Sequence, residues 1–171
     1  MRAALAAGLV LLLAASGAAE EPDKIEVTVT ITDSAANATV GGLFDELTDA
    51  APPADEEAYR KTYTLDGTAV REEYRRETKS GAVSAMIGGR VSVDIEAEGL
   101  SPEELRGWLE RIDRKRLAEA RAASGEQTIP PEKLTTFLPA PPPGWSAAPA
   151  KQRRVEAAGF PATESSRVYE K

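Results

Sequence analysis

The clearest pattern in the chain is a strict alternation between Lys24 and Thr32, where Ile25, Val27, Val29 and Ile31 interleave with Glu26, Thr28, Thr30 and Thr32. A period of two with β-branched residues on both sides predicts a strand. One apolar and one polar side predict an antiparallel sheet covered on a single face. Asp33 to Gly42 is small and polar and reads as a loop. The period then changes. Across Gly41 to Ala50, Leu43, Phe44 and Leu47 recur at helical spacing opposite Asp45, Glu46 and Asp49, which predicts a short amphipathic helix stopped by Ala51-Pro52-Pro53.

A meander follows. Ala58 to Leu65 puts Tyr59, Tyr63 and Leu65 on one side, and Asp66-Gly67 is the two-residue signal for a type I′ turn. Thr68 to Thr78 carries Val70 and Tyr74 on one face among charges, and Lys79-Ser80-Gly81 turns the chain again. Ala82 to Ile87 is an apolar run, Gly88-Gly89 turns, and Arg90 to Glu98 alternates Val91, Val93 and Ile95 with Ser92, Asp94 and Glu96. Strands joined by short glycine-containing turns imply antiparallel pairing.

Ser101-Pro102-Glu103-Glu104 has the features of a helix start, with Ser as N-cap, Pro at the first helical position and Glu at the third. Leu105, Trp108, Leu109 and Ile112 then form one apolar stripe, which should lie on the sheet. Asp113 is placed to cap a second helix running through Ala122, with Leu117 and Ala120 facing in, and Ser124-Gly125 ends it. Glu132 to Leu138 has room for one or two more helical turns. The prolines at 139 and 141–143 rule out regular helix or central strand before Trp145. This segment reads as a semi-rigid polyproline-II connector whose Trp145 plugs the edge of the core, or as a docking segment with Trp145 as an exposed anchor. A last strand is expected at Ser165 to Glu170. The fold class is thus α+β: an antiparallel sheet of about five to six strands with helices packed on one face. The expected core is Ile25, Val27, Val29, Ile31, Leu43, Phe44, Leu47, Val83, Val91, Val93, Ile95, Leu105, Trp108, Leu109 and Ile112.

The first residues follow another logic. Arg2 precedes an uncharged run from Ala3 to Ala15, and Ser16-Gly17-Ala18-Ala19 supplies small residues before Glu20 and Glu21. That order is the pattern of a cleavable secretory signal peptide, with cleavage expected after Ala19 or Ala18. The run is shorter than the roughly 20 residues a membrane-spanning helix needs, so no stable anchor is expected after cleavage. The organisation expected is a leader at 1–19, an α+β domain at 20–138, a Pro-rich connector at 139–150, and a tail at 151–171 whose strand joins the same sheet. Usage rich in Ala, Gly, Arg and Pro resembles that of a GC-rich bacterial genome, and for such a source the exported product is expected in the periplasm or outside the cell.

Composition narrows the chemistry. With 0 His and 0 Cys, this chain cannot supply zinc-binding thiolates, a Cys or Ser–His nucleophile, an imidazole proton shuttle or a disulfide. A net charge of -7 is a poor match to a phosphate backbone or an anionic lipid surface, so nucleic acid is not an expected partner. The glycines at 41–42, 81 and 88–89 lie at turns and form no strand–GxGxxG–helix arrangement, and no other cofactor motif is present.

Three charged groups merit comparison. Asp45, Glu46, Asp49, Asp55, Glu56 and Glu57 surround Pro52-Pro53 but lack the spaced ligand loop of a calcium site, and read as a solvated surface. In Arg71 to Glu77, Arg71 and Arg75 share one strand face while Glu72 and Arg76 share the other. They form a cross-strand ion-pair ladder, or present Arg71, Arg75 and Arg90 to an anionic ligand. The basic runs Asp113 to Arg116, with Arg121, and Lys151 to Arg154 read as solvated faces.

Leu138-Pro139 followed by Pro143-Gly144-Trp145 resembles the LP…PGW opening of a widespread, uncharacterised family of exported bacterial domains. In that family the opening leads to a strand like Ser166 to Tyr169, then to one like Ile25 to Thr32, the helix and meander, and the closing helices. The layout is also loosely similar to the Mog1/PsbP-like fold. What the resemblance implies is an antiparallel sheet flanked by helices. Here the LP…PGW segment follows the closing helices instead of preceding the first strand. Either the domain is circularly permuted, with the tail strand returning beside Lys24–Thr32, or the chain is a fragment of a tandem array. Strand exchange between copies is a third arrangement. An unpaired strand at Ile25–Ile31 is an aggregation hazard, which favours pairing within the chain.

The functional expectation is a non-enzymatic exported module binding a partner protein or small ligand through the polar face of the sheet or the Pro-rich segment, with Trp145, Arg71 and Arg75 as candidate contacts. The alternative is an envelope enzyme using only carboxylate, Ser, Tyr or Lys chemistry.

Overall fold

In β1 (Glu26–Ser34) burial alternates along the whole strand, with Val27, Val29, Ile31 and Asp33 buried and the residues between them half-exposed. The computed structural model describes residues 25–34, 57–125, 127–157 and 160–171. The leader at 1–19, the helix at 41–50 with Leu43, Phe44 and Leu47, and Asp45, Glu46, Asp49, Asp55 and Glu56 lie outside the described residues.

The meander forms with the expected turns. β2 (Ala58–Leu65) and β3 (Thr68–Arg75) are joined through Asp66 and Gly67, whose φ values of 50° and 76° belong to a type I′ turn. β4 (Ser80–Ile87) and β5 (Val91–Glu98) are joined at Gly88 and Gly89, both also left-handed. After β5 come α1 (Pro102–Glu110), α2 (Arg114–Ser124), the single turn α3 (Pro131–Leu134) and a 3₁₀ turn at Thr135–Phe137. The Ser101 side chain accepts from the Glu104 N–H while the Glu104 carboxylate accepts from the Ser101 N–H, a complete capping box. Asp113 caps α2 by accepting from the Arg116 N–H.

β6 (Ser146–Ala147), β7 (Lys151–Ala157) and β8 (Phe160–Glu170) complete the sheet. It has eight strands, in the order β2-β3-β4-β5-β1-β8-β6, with β7 also paired to β8. All the pairings are antiparallel. The expectation of five to six strands was too low, and the two extra strands are short or charged. β6 has two residues, and β7 opens Lys-Gln-Arg-Arg with all four side chains exposed, so neither carries an apolar alternation. Lys and Arg on an edge strand discourage further pairing. β8 begins five residues before the expected Ser165. Pro161 fits there because β8 has only β7 beside it at that point, its pairing with β1 starting at Ala162.

The tail strand does return beside the first: β8 pairs with β1 from Ala162 opposite Ser34 to Glu170 opposite Glu26. β1 therefore lies inside the sheet, between β5 and β8. Asp33, expected in a loop, extends β1 because its carboxylate has fixed partners: Arg90 donates to it from Nε at 2.7 Å and Ile129 N–H at 2.6 Å.

The helices cover one face. Leu105, Trp108, Leu109, Ile112 and Leu117 pack with Val27, Val29, Ile31, Val83, Val93 and Ile95 in one buried cluster, and Ile25 packs against it half-buried. Trp145 is half-buried at its rim, edge-on to Trp108 with ring centroids 5.2 Å apart and planes at 75°. The fully buried Tyr169 packs against Trp108 with ring centroids 4.7 Å apart and planes tilted by 53°, and donates its hydroxyl to Pro139 O at 2.7 Å, which ties the Pro-rich segment to the core. Among the described residues, no helix is long and apolar enough to cross a membrane.

Gly81 lies where α1 packs closely on the sheet. A Cβ there would lie 2.7 Å from Tyr74 Cδ2, 2.8 Å from Glu73 O and 2.9 Å from Leu105 Cδ2. One of these atoms is backbone and cannot swing away, so Gly81→Ala should destabilise the fold by about 1–3 kcal/mol, measured by urea denaturation. A loss under about 0.5 kcal/mol would show that α1 sits further from β4 than described.

Candidate functional site

The face of the sheet opposite the helices is open, and strand parity decides what lies on it. β4 contributes Ser80, Ala82 and Ser84, all small. The register puts Ser80 between Arg75 and Glu98, Ala82 between Glu73 and Glu96, and Ser84 between Arg71 and Asp94. β3 thus forms a wall rich in arginine, β5 a wall of carboxylates, and β4 the low floor between them. At the Ser80–Ala82 end the surface sinks into an open depression of about 610 Å³, reaching Ala58 and Arg60 on one side and Glu26 and Thr28 on the other.

The charges differ in how far they are already neutralised. Glu73 pairs with Arg60 at 2.8 Å and with Arg71. Partial burial pulls the Glu73 carboxyl upward, but hydrogen bonds from Arg60 and Arg71 outweigh it and hold the group below its ordinary value. Asp94 accepts from Ser84 Oγ at 2.7 Å and Ser92 Oγ at 2.9 Å. Arg75, Glu96 and Glu98 are exposed, and among the described residues none of the three makes an ion pair or side-chain hydrogen bond.

Of the residues singled out from the sequence, Arg71 and Arg75 do lie on this face. Arg71 is engaged in an Arg60–Glu73–Arg71 cluster, part of the ladder expected there, while Arg75 is free. Arg90 does not join them. It is 4 % exposed, faces the helices, and pairs with Asp33. Trp145 does not line the depression; it packs half-buried against the core at its rim, in the position of a plug. In the basic runs, Arg114 pairs with Asp66 at 2.8 Å, Arg116 stacks over Phe137 at 5.1 Å, and Lys151 to Arg154 form the edge strand β7. Among the described residues, no three acidic side chains group to hold a metal ion.

Sequence reading missed Glu72, a fully buried carboxylate on the helix side of β3. Tyr59 donates its hydroxyl to Glu72 Oε1 at 2.5 Å and Tyr63 to Oε2 at 3.2 Å. Lys61 Nζ stands 3.3 Å from Oε1, and Arg106 of α1 reaches within 3.8 Å of Oε2. Lys61 also lies over both tyrosine rings, 5.6 and 5.2 Å from their centroids. Burial, reinforced by the adjacent carboxylate, raises the phenol of Tyr59 above its ordinary value and pushes that of Tyr63 up to about 12. The signal was parity: Glu72 falls between Val70 and Tyr74, on the apolar side of its strand. These are the residue types carboxylate or tyrosine catalysis would need, yet Glu72 has both oxygens occupied and does not line the depression.

The fold and this face together define an α+β domain with helices on one side of an eight-stranded antiparallel sheet and a charged depression on the other. No family model matches the chain, and no curated protein or solved structure matches it either.

Proposed function

We propose that this protein is an exported, non-enzymatic module that binds a partner protein or small ligand on the open face of its sheet. The observation that carries the reading is the depression over Ser80 and Ala82, roofless and rimmed by charges of which Arg75, Glu96 and Glu98 make no ion pair among the described residues. Its volume falls within the roughly 300–1,000 Å³ typical of small-ligand sites, although its lining is more polar than most. The leader pattern at 1–19 supports export, and the acidic balance supports partners other than nucleic acid.

Filling the floor tests the binding reading. Ala82→Trp puts a large ring on the open face without touching the helix-side core, so its circular dichroism and melting temperature should stay close to those of the parent. Thermal-shift screening of the parent against amino acids, short peptides, sugars and nucleotides should yield ligands that the variant no longer binds. A screen whose hits bind Ala82→Trp equally well would remove the depression as the site. Export is tested separately by the intact mass of protein recovered outside the cytoplasm, which should lack residues 1–19 or 1–18.

A further inference from the structure

Which ligand the depression suits can be read from the charges on its walls, given that it binds as proposed above. Arg75 and Glu98 are both register partners of Ser80, so they face each other across one small residue. Adjacent strands are about 4.8 Å apart, which sets the two backbones about 10 Å from one another. Glu96 stands two residues along from Glu98 on the same face, so the acidic wall offers two carboxylates about 7 Å apart. Arg60, on the basic side, is already satisfied by Glu73. The depression therefore presents one available guanidinium opposite two available carboxylates. A purely anionic ligand would satisfy the guanidinium and be repelled by the opposite wall, while a purely cationic one would leave Arg75 unused.

We infer that the depression takes a zwitterionic ligand, a short peptide with both ends free, its carboxylate on Arg75 and its ammonium between Glu96 and Glu98. The scale fits a short peptide, since three residues fully extended span at most about 11 Å, comparable to the spacing of the two strands that carry the walls. Guanidinium–carboxylate recognition is bidentate and favours a planar terminal carboxylate. Ser80 and Ala82, beneath the ligand, leave room for a backbone that larger residues would exclude.

The test uses the 15N-labelled full chain at low salt, with trialanine and N-acetyl-trialanine amide as the main pair of probes and the singly blocked trialanine amide and N-acetyl-trialanine to separate the two ends. Trialanine should shift the amide signals of 73–75, 80–82 and 96–98, and the blocked peptide should bind at least tenfold more weakly. Arg75→Gln should abolish discrimination between a free and an amidated C-terminus while leaving discrimination at the N-terminus. The Glu96→Gln/Glu98→Gln double variant should do the reverse. Equal binding of both peptides at these signals would overturn the zwitterion assignment and leave the open face standing as a binding site. No shift at these signals with trialanine also overturns it; the broader reading then falls too if no member of the wider screen perturbs them.

Discussion

Replacing Asp33 by alanine should cost the fold about 3–5 kcal/mol, the largest loss expected from any single change among the described residues. Asp33 is fully buried, and its two oxygens accept from Arg90 Nε at 2.7 Å and Nη2 at 3.1 Å. The remaining donors of Arg90 reach Gly125 O at 2.7 Å, Ser124 Oγ at 2.8 Å and Gln127 O at 2.9 Å. Asp33 also accepts from Ile129 N–H, whose own carbonyl accepts from Thr163 Oγ1 at 2.7 Å. This network fastens the chain after α2 to β1 and β8. Removing the carboxylate leaves a guanidinium in the core with no counter-charge, which is why truncating one partner costs more than the pair itself contributes. Many buried ion pairs can be exchanged for two apolar residues at little cost. Here that rescue should fail. Asp33→Leu combined with Arg90→Met would leave the buried Ile129 N–H without its partner, a penalty of about 1–3 kcal/mol, and would free the Gly125 and Gln127 carbonyls from the core side. Urea denaturation of the two single variants and the double variant measures all three terms. A double variant as stable as the parent would show that the loop does not depend on the pair.

The sheet's meander and the α1 cap were legible because each rests on local chemistry. Asp66-Gly67 and Gly88-Gly89 need left-handed backbone that few other residues tolerate, and Ser101 with Glu104 satisfies donors that every helix start exposes. What was not legible depends on distant partners. Asp33 looked like a loop residue because nothing near it in sequence announces Arg90, 57 positions away. β7 was hidden because an edge strand with charged side chains gains its order from β8 and buries little itself. The open face lies between these cases. Its residues were visible as polar alternations, but the contrast between the β3 and β5 walls appears only once register sets Arg75, Ser80 and Glu98 side by side. Sequence favoured Trp145 as a plug over an exposed anchor, but an indole after a proline run is compatible with both. In the fold it packs half-buried against the core, edge-on to Trp108.

Alkali should unfold this protein between about pH 10 and pH 12 through its tyrosines. The chain has 4 Tyr, and burial raises the phenol of each above its ordinary value of 10.0, that of Tyr63 to about 12. A raised phenol means that the fold holds the proton more tightly than the unfolded chain does. The associated stability is fully present below pH 10 and is lost as the pH rises through the folded value. Tyr63 is only half-buried, so its share after solvent screening is roughly 1–2 kcal/mol rather than the full two-unit equivalent. Phenolate absorbance at 295 nm should stay low past pH 10 and then rise together with the loss of β circular dichroism. A noncooperative rise centred on pH 10 in the folded protein would refute the buried hydroxyl contacts. Glu72 separates the causes. Burial, the larger effect, survives Glu72→Gln, whereas the repulsion between carboxylate and phenolate does not. That variant should therefore begin to ionise at lower pH than the parent while keeping most of its neutral-pH stability, its amide oxygen still accepting from Tyr59. Glu72→Leu removes the acceptor as well. Lys61 and two phenols then lose their shared partner, and about 3 kcal/mol should be lost already at pH 7. The difference between these two variants measures what a hydrogen-bond acceptor contributes at the edge of this core, apart from its charge.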